Sequence, residues 1–127
     1  RRYVDDEPTF YLPDEWRGRP ENSKQGSDGK AQSQYFPSLY LFDVCEKALE
    51  GYNKMLEQGV APEQARMILP QNTHTEWYWS GSLYAFSRVC KQRLDPHAQQ
   101  ETREVAKIIN ETAELTFPIS WKSLLEN

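Results

Sequence analysis

The chain has 127 residues, a formal net charge of −4, 38% hydrophobic residues and 13% aromatic residues. That size and aromatic content predict about one globular domain with its own core, and exclude a disordered chain. The negative charge argues against a general nucleic-acid-binding surface, so any anion site has to be local and built from a few arginines.

The two cysteines, Cys45 and Cys90, fall inside helical runs and form no CxxC. They read as buried thiols in a reducing compartment, not as a disulfide framework or metal ligands. His74 and His97 share no metal-ligand spacing, so no metal site is expected. The first ten residues, RRYVDDEPTF, lack the apolar segment of a signal peptide. No apolar run approaches the roughly 20 residues of a membrane span. These features predict a soluble, cytoplasmic protein with neither membrane nor nucleic acid as partner.

Residues 1–12, rich in aromatics and broken by prolines, read as extended. Residues 13–35 carry Gly, Ser, Asn and charge without periodicity, and read as a flexible loop. From about Phe36 to Gln58, Leu41, Phe42, Cys45, Ala48, Leu49, Tyr52, Met55 and Leu56 repeat at helical steps. Pro37 suits the first turn of that helix and Gly59 its left-handed stop. A short helix is expected between Pro62 and Leu69. In THTEWYWSGSL, Thr75, Trp77 and Trp79 alternate with Glu76, Tyr78 and Ser80, which favours a strand. Ser82 is placed to cap a helix over Leu83–Arg93 with Leu83, Phe86, Val89 and Cys90 inward. Asp95 is expected to cap a last long helix with Pro96 at its first position and Ala98, Thr102, Val105, Ile108, Ile109 and Thr112 buried. FPISWKSLL reads as a short terminal helix.

The pattern predicts one α+β domain over residues 1–127, mostly helical, with an incomplete antiparallel sheet. A strand pair alone is marginal. The sheet is therefore expected to be completed by a missing N-terminal segment or by other subunits.

Four arginines stand beside structural punctuation: Arg2, Arg66, Arg88 and Arg93. Arg66, flanked by Ala65 and Met67, has two readings. Solvent exposure is the commoner fate of arginine, and a cleft would let its planar fork hold a phosphate or a base edge. Arg93 ends a helix, where the dipole alone favours a cation. Glu101, Glu104 and Glu111 read as a solvated helix face. No catalytic triad order, nucleophile elbow or Gly-rich phosphate loop is present.

Taken whole, GVAPEQARMILPQNTHTEWYWSGSLYAFSRVCKQRLDPHAQQETREVAK resembles the C-terminal half of flavin-dependent thymidylate synthases, the ThyX family. ARxxLP, the aromatic stretch before Ser-Gly, and RLDPHAQxE occur in the family's order. The opening RRYVDDEPTFYLP resembles the segment that follows the family's RHR signature. The likeness covers nearly the whole chain and is weakest in the Gly/Ser-rich loop and at the last residues.

The resemblance implies reductive methylation of dUMP to dTMP, with FAD as cofactor and methylenetetrahydrofolate and NADPH as co-substrates. It also implies a homotetramer with shared active sites. No enzyme cysteine attacks the uracil in that family, which agrees with the inert reading of Cys45 and Cys90. By the resemblance, Arg93 is catalytic, contacting the uracil and favouring ionised N3. Arg1, Arg2 and Arg66 join it in binding dUMP. Ser82, Tyr84, Arg88 and His97 fall at flavin positions. Some members carry Asn at the place of Ser82, Arg at that of Tyr84, and Asn or His at that of Arg88. Arg88 is therefore expected to supply the charge that position 84 lacks. Without the RHR signature, this polypeptide alone is expected to be inactive. The alternatives are a non-catalytic nucleotide-binding or oligomerisation fragment, and a related pyrimidine methylating or hydroxymethylating enzyme.

Overall fold

A computed structural model describes residues 6–21 and 26–126. Contacts divide the chain into two compact units, one from residues 1–16 and 30–78, the other from 17–29 and 79–127. Each is described by itself.

The first unit is organised by α1, Tyr35–Glu57. Cys45 and Tyr52 are buried from its expected apolar stripe, and Leu41, Ala48, Leu49, Met55 and Leu56 are partly covered. The helix ends as its glycine demands. Gly59 has φ +80°, its N–H donates to Leu56 O at 2.9 Å, and the N–H of Val60 donates to Met55 O at 2.9 Å. This pair of reversed bonds satisfies carbonyls that the helix end would leave open, and only glycine adopts the turn without cost. Next comes α2, Pro62–Ala65, which tightens into one 3-10 turn, Arg66–Ile68. Ala65 is fully buried, which seats the short helix and fixes where Arg66 begins its turn.

The expected α+β class is not what forms. Among the described residues there is no strand and no sheet, only an isolated antiparallel bridge between Phe10 and Thr73. The bridge is held by Tyr11 N–H to Asn72 O at 2.7 Å and His74 N–H to Thr9 O at 2.8 Å. Asn72 adds a side-chain bond from Nδ2 to Tyr11 O at 2.8 Å. The alternating stretch beyond it, Thr75–Ser80, is extended, but its backbone bonds to no other described segment. Alternation sets which way side chains face. A strand also needs a neighbour for its N–H and C=O groups, and here none lies alongside.

The second unit packs three helices together: α3, Leu83–Arg93; α4, Gln100–Thr116; and α5, Pro118–Glu126. The small residues Ser87, Cys90 and Ala106 let α3 and α4 approach, and Cys90 Sγ donates to Ala106 O at 3.6 Å. Trp121 of α5, 1% exposed, fills the remaining space. The start of α4 differs from expectation. Asp95 closes a turn of its own, accepting the His97 N–H at Oδ1 (2.7 Å) while its carbonyl accepts the Ala98 N–H at 2.9 Å. The helix begins only at Gln100. Its buried face shifts with it. Ala106 is inside, whereas Val105 and Ile108 are 53% and 64% exposed.

Candidate functional site

In the first unit, an open cleft of about 480 Å³ is lined by Arg66, Glu63, Leu69, Pro70, Thr73 and His74, with Met67 and Thr75 at its edge. The 3-10 turn presents Arg66 there, and the Phe10–Thr73 bridge supplies the opposite residues. Arg66 is half-buried. Among the described residues no carboxylate pairs with its guanidinium. Arg66 thus lines the cleft while keeping part of its surface in solvent. His74 is steadied in this cleft by Thr9, whose Oγ1 lies 3.1 Å from Nδ1, and by Tyr11, whose ring stands edge-on at 6.4 Å. Sequence reading gave no role to His74, Thr73 or Thr75. They reach the cleft only because residues 9–11 pair with 72–74.

In the second unit, Ser82, Tyr84, Arg88 and Arg93 are gathered on α3 and its cap. Ser82 caps the helix as its sequence suggests, with Oγ accepting the Ala85 N–H at 3.1 Å. Tyr84 and Arg88, four residues apart, are neighbours on the exposed side of α3, while Ser87 and Cys90 face the core. Arg93 is the last residue of α3 and is exposed. Among the described residues neither Arg88 nor Arg93 is paired with a carboxylate. Arg1 and Arg2 lie outside the described residues.

His97 projects from the turn after α3, with Nδ1 2.9 Å from Asp95 Oδ1. The Asp95 carboxyl is held below its ordinary value, first by the His97 backbone N–H and then by the His97 ring. An ionised Asp95 anchors Nδ1 and leaves Nε2 as the ring's outward polar atom. Cys90 contrasts with these groups. Burial pushes its thiol above the ordinary value, so it stays protonated and unreactive. Among the described residues no cluster of His, Cys, Asp and Glu forms a metal site, and no helix is long and apolar enough to cross a membrane.

Set against known proteins, residues 1–119 match the family model Thy1, described as thymidylate synthase complementing protein. A flavin-dependent thymidylate synthase of Thermus thermophilus is 37% identical over 118 residues, covering 93% of this chain and 43% of that protein. One from Treponema denticola is 31% identical, covering 90% of this chain and 45% of its own length. One from Dictyostelium discoideum is 30% identical, covering 92% and 40%. The chain thus spans less than half the length of these curated relatives. The match over residues 1–119, nearly the whole sequence, together with relatives of this name at 30–37% identity, shows that the chain belongs to the Thy1 family of flavin-dependent thymidylate synthases.

Proposed function

We propose that this chain forms part of an enzyme that reductively methylates dUMP to dTMP, using methylenetetrahydrofolate as carbon donor, FAD as cofactor and NADPH as reductant. The observation that carries this reading is Arg66, half-buried in its cleft without a carboxylate. A partly desolvated guanidinium lacking a protein anion is best satisfied by a ligand, and its fork suits a phosphate or a pyrimidine edge. Arg93 supplies a second cation with no counter-charge among the described residues. Placed beside N3 and a carbonyl of uracil, it stabilises the ring anion and makes C5 more nucleophilic.

The residues of α3 fit a flavin dinucleotide. Tyr84, 58% exposed, offers a ring face, and Arg88 one turn on offers charge for a pyrophosphate. Ser82 keeps its O–H proton to donate while its oxygen accepts the cap bond. His97 presents Nε2 from a pinned ring. Reduced flavin, when bound, supplies the hydride; these side chains bind and orient.

Exposed apolar side chains support association with further protein surface, and the assembly proposed is a homotetramer. Tyr35, Phe36, Leu39, Tyr40 and Val44 are exposed on α1, and Trp77 is 71% exposed. Contiguous apolar exposure of this kind marks an interaction surface.

The test is dUMP binding and dTMP formation by the intact protein and by its Arg66→Ala and Arg93→Ala variants. Each variant is expected to lose dUMP affinity by roughly tenfold or more, with the helical circular dichroism signal unchanged. Full turnover in both variants would remove the assignment.

A further inference from the structure

The described residues 17–21 and 26–29 are fastened to the helical part of their own unit at two points. Arg17 Nη2 donates to both carboxylate oxygens of Glu101, at 2.6 and 2.8 Å, and Arg17 Nε donates to Ser27 Oγ at 3.0 Å. Both ion-pair partners are only about a quarter exposed, at 26% and 28%. The second point is Gly26, with φ +84°. A Cβ built there would stand 3.5 Å from His97 O, so this glycine backs directly onto the His97 main chain. The loop is closed at its base by Gly18 N–H to Gly29 O and Asp28 N–H to Gly18 O, both 3.0 Å.

These contacts both fall on the C-terminal part of one short segment. Arg93 ends α3, the Asp95–Ala98 turn follows, and Glu101 sits in the first turn of α4. The turn's own bonds are local: Asp95 Oδ1 to His97, and Asp95 O to Ala98. Such bonds shape the turn but do not tie it to anything else. The ties come from Gly26 at His97 and from Arg17 through Glu101 four residues further on.

We infer that Arg17 and Glu101 form a latch that holds the segment from Arg93 to His97 in its ligand-facing conformation, making them positioning residues for the pyrimidine nucleotide. The inference rests on the proposed function for its nucleotide half and on geometry alone for its structural half. Neither residue touches the ligand. They act by restricting where Arg93 and His97 can go, and a small displacement of a positioning segment is costly for binding. A bidentate, partly buried guanidinium–carboxylate pair is the kind of ion pair that fixes geometry, unlike an exposed lysine pair.

The experiment combines amide hydrogen exchange with dUMP binding on the intact protein. The variants are Arg17→Ala, Arg17→Lys and the swap Arg17→Glu with Glu101→Arg. In Arg17→Ala, exchange at His97 and Ala98 is expected to quicken by roughly tenfold, and dUMP affinity to fall by roughly threefold to tenfold. The Trp121 indole N–H, far along the helical core in sequence, serves as the control for global folding and should be unchanged. Arg17→Lys is expected to fall between, because it keeps the charge and loses the fork. The swap should recover most of both readouts. Unchanged exchange at His97 and Ala98 in Arg17→Ala overturns the latch. Faster exchange with unaltered dUMP affinity overturns the positioning role. Failure of the unsubstituted protein to bind dUMP overturns the proposed function, while the exchange comparison still decides the latch.

Discussion

The indole N–H of Trp121 donates to Asn110 Oδ1 at 2.9 Å, tying the buried tryptophan of α5 to α4. The bond satisfies a polar group that burial would otherwise leave unpaired, so the tryptophan contributes both volume and a specific register. Trp121→Phe is expected to cost about 1–3 kcal/mol, from lost volume and an unsatisfied Asn110 amide. Trp121→Ala is expected to cost about 3–5 kcal/mol. Urea unfolding followed by circular dichroism measures both, and a Trp121→Phe cost no larger than its small loss of volume accounts for would show that the bond contributes nothing.

Two glycines of α1 and its stop should respond in opposite directions. Gly59→Ala forces a side chain into the left-handed region at φ +80° and is expected to cost about 1–2 kcal/mol. At Gly51 an added Cβ would meet Ile68 Cδ1 at 2.8 Å. That atom is the tip of a flexible, partly exposed side chain that can turn aside. The helix-propensity gain of about 1 kcal/mol then dominates, and Gly51→Ala should be neutral to stabilising. Thermal unfolding of the two variants side by side checks the contrast.

Ser82 has a cap role in the structure and a flavin role in the proposal, and substitution separates them. Ser82→Ala removes the acceptor for the Ala85 N–H and is expected to lower stability by about 1 kcal/mol. Ser82→Asp keeps an acceptor and should retain stability, yet it brings a negative charge to a place proposed for a pyrophosphate. Flavin affinity measured by fluorescence should therefore fall in Ser82→Asp while the unfolding midpoint holds. Equal flavin affinity in both variants would leave Ser82 with the cap alone.

Acid should loosen the latch before it unfolds the core. Burial works to raise the Glu101 carboxyl, but the Arg17 hydrogen bond and charge outweigh it, and the group ends below its ordinary 4.5. A carboxyl lowered by folding adds stability that is fully present above its unfolded value and is lost as pH falls through its folded one. Asp95, lowered from 3.8 chiefly by its bond from the His97 N–H, has the same sign. Exchange at His97 and Ala98 is thus expected to be slow near neutrality and to rise as pH falls through the lowered Glu101 and Asp95 carboxyl values, after correction for intrinsic rates. In Glu101→Gln that pH dependence should be reduced. A profile identical to the unsubstituted protein would place its origin elsewhere.

Much of the helical framework is legible from short-range chemistry. Leu83–Arg93 forms with its expected bounds because Ser82 supplies an acceptor where the first turn has free N–H groups. The long helix stops at Gly59 because the reversed turn there admits only glycine cheaply. Asp95-Pro96 misleads for an equally local reason. The Asp95 side chain closes on His97 two residues ahead, and the helix waits until Gln100. Either outcome is compatible with the same dipeptide.

What the sequence by itself determined, then, is where α1 stops and α3 is capped, that both thiols lie inside, and which arginines are candidates for a ligand. Whether Thr75–Ser80 becomes a strand was decided by tertiary structure, because a strand exists only with a neighbour and none is supplied among the described residues. The meeting of Arg17 with Glu101, 84 residues apart, was decided there too. Glu101 reads as an ordinary solvated charge along the chain, and Arg17 is one charge within an aperiodic loop. Caps and periods are fixed by bonds spanning a few residues, whereas pairing partners and clefts depend on which distant segments fold against each other.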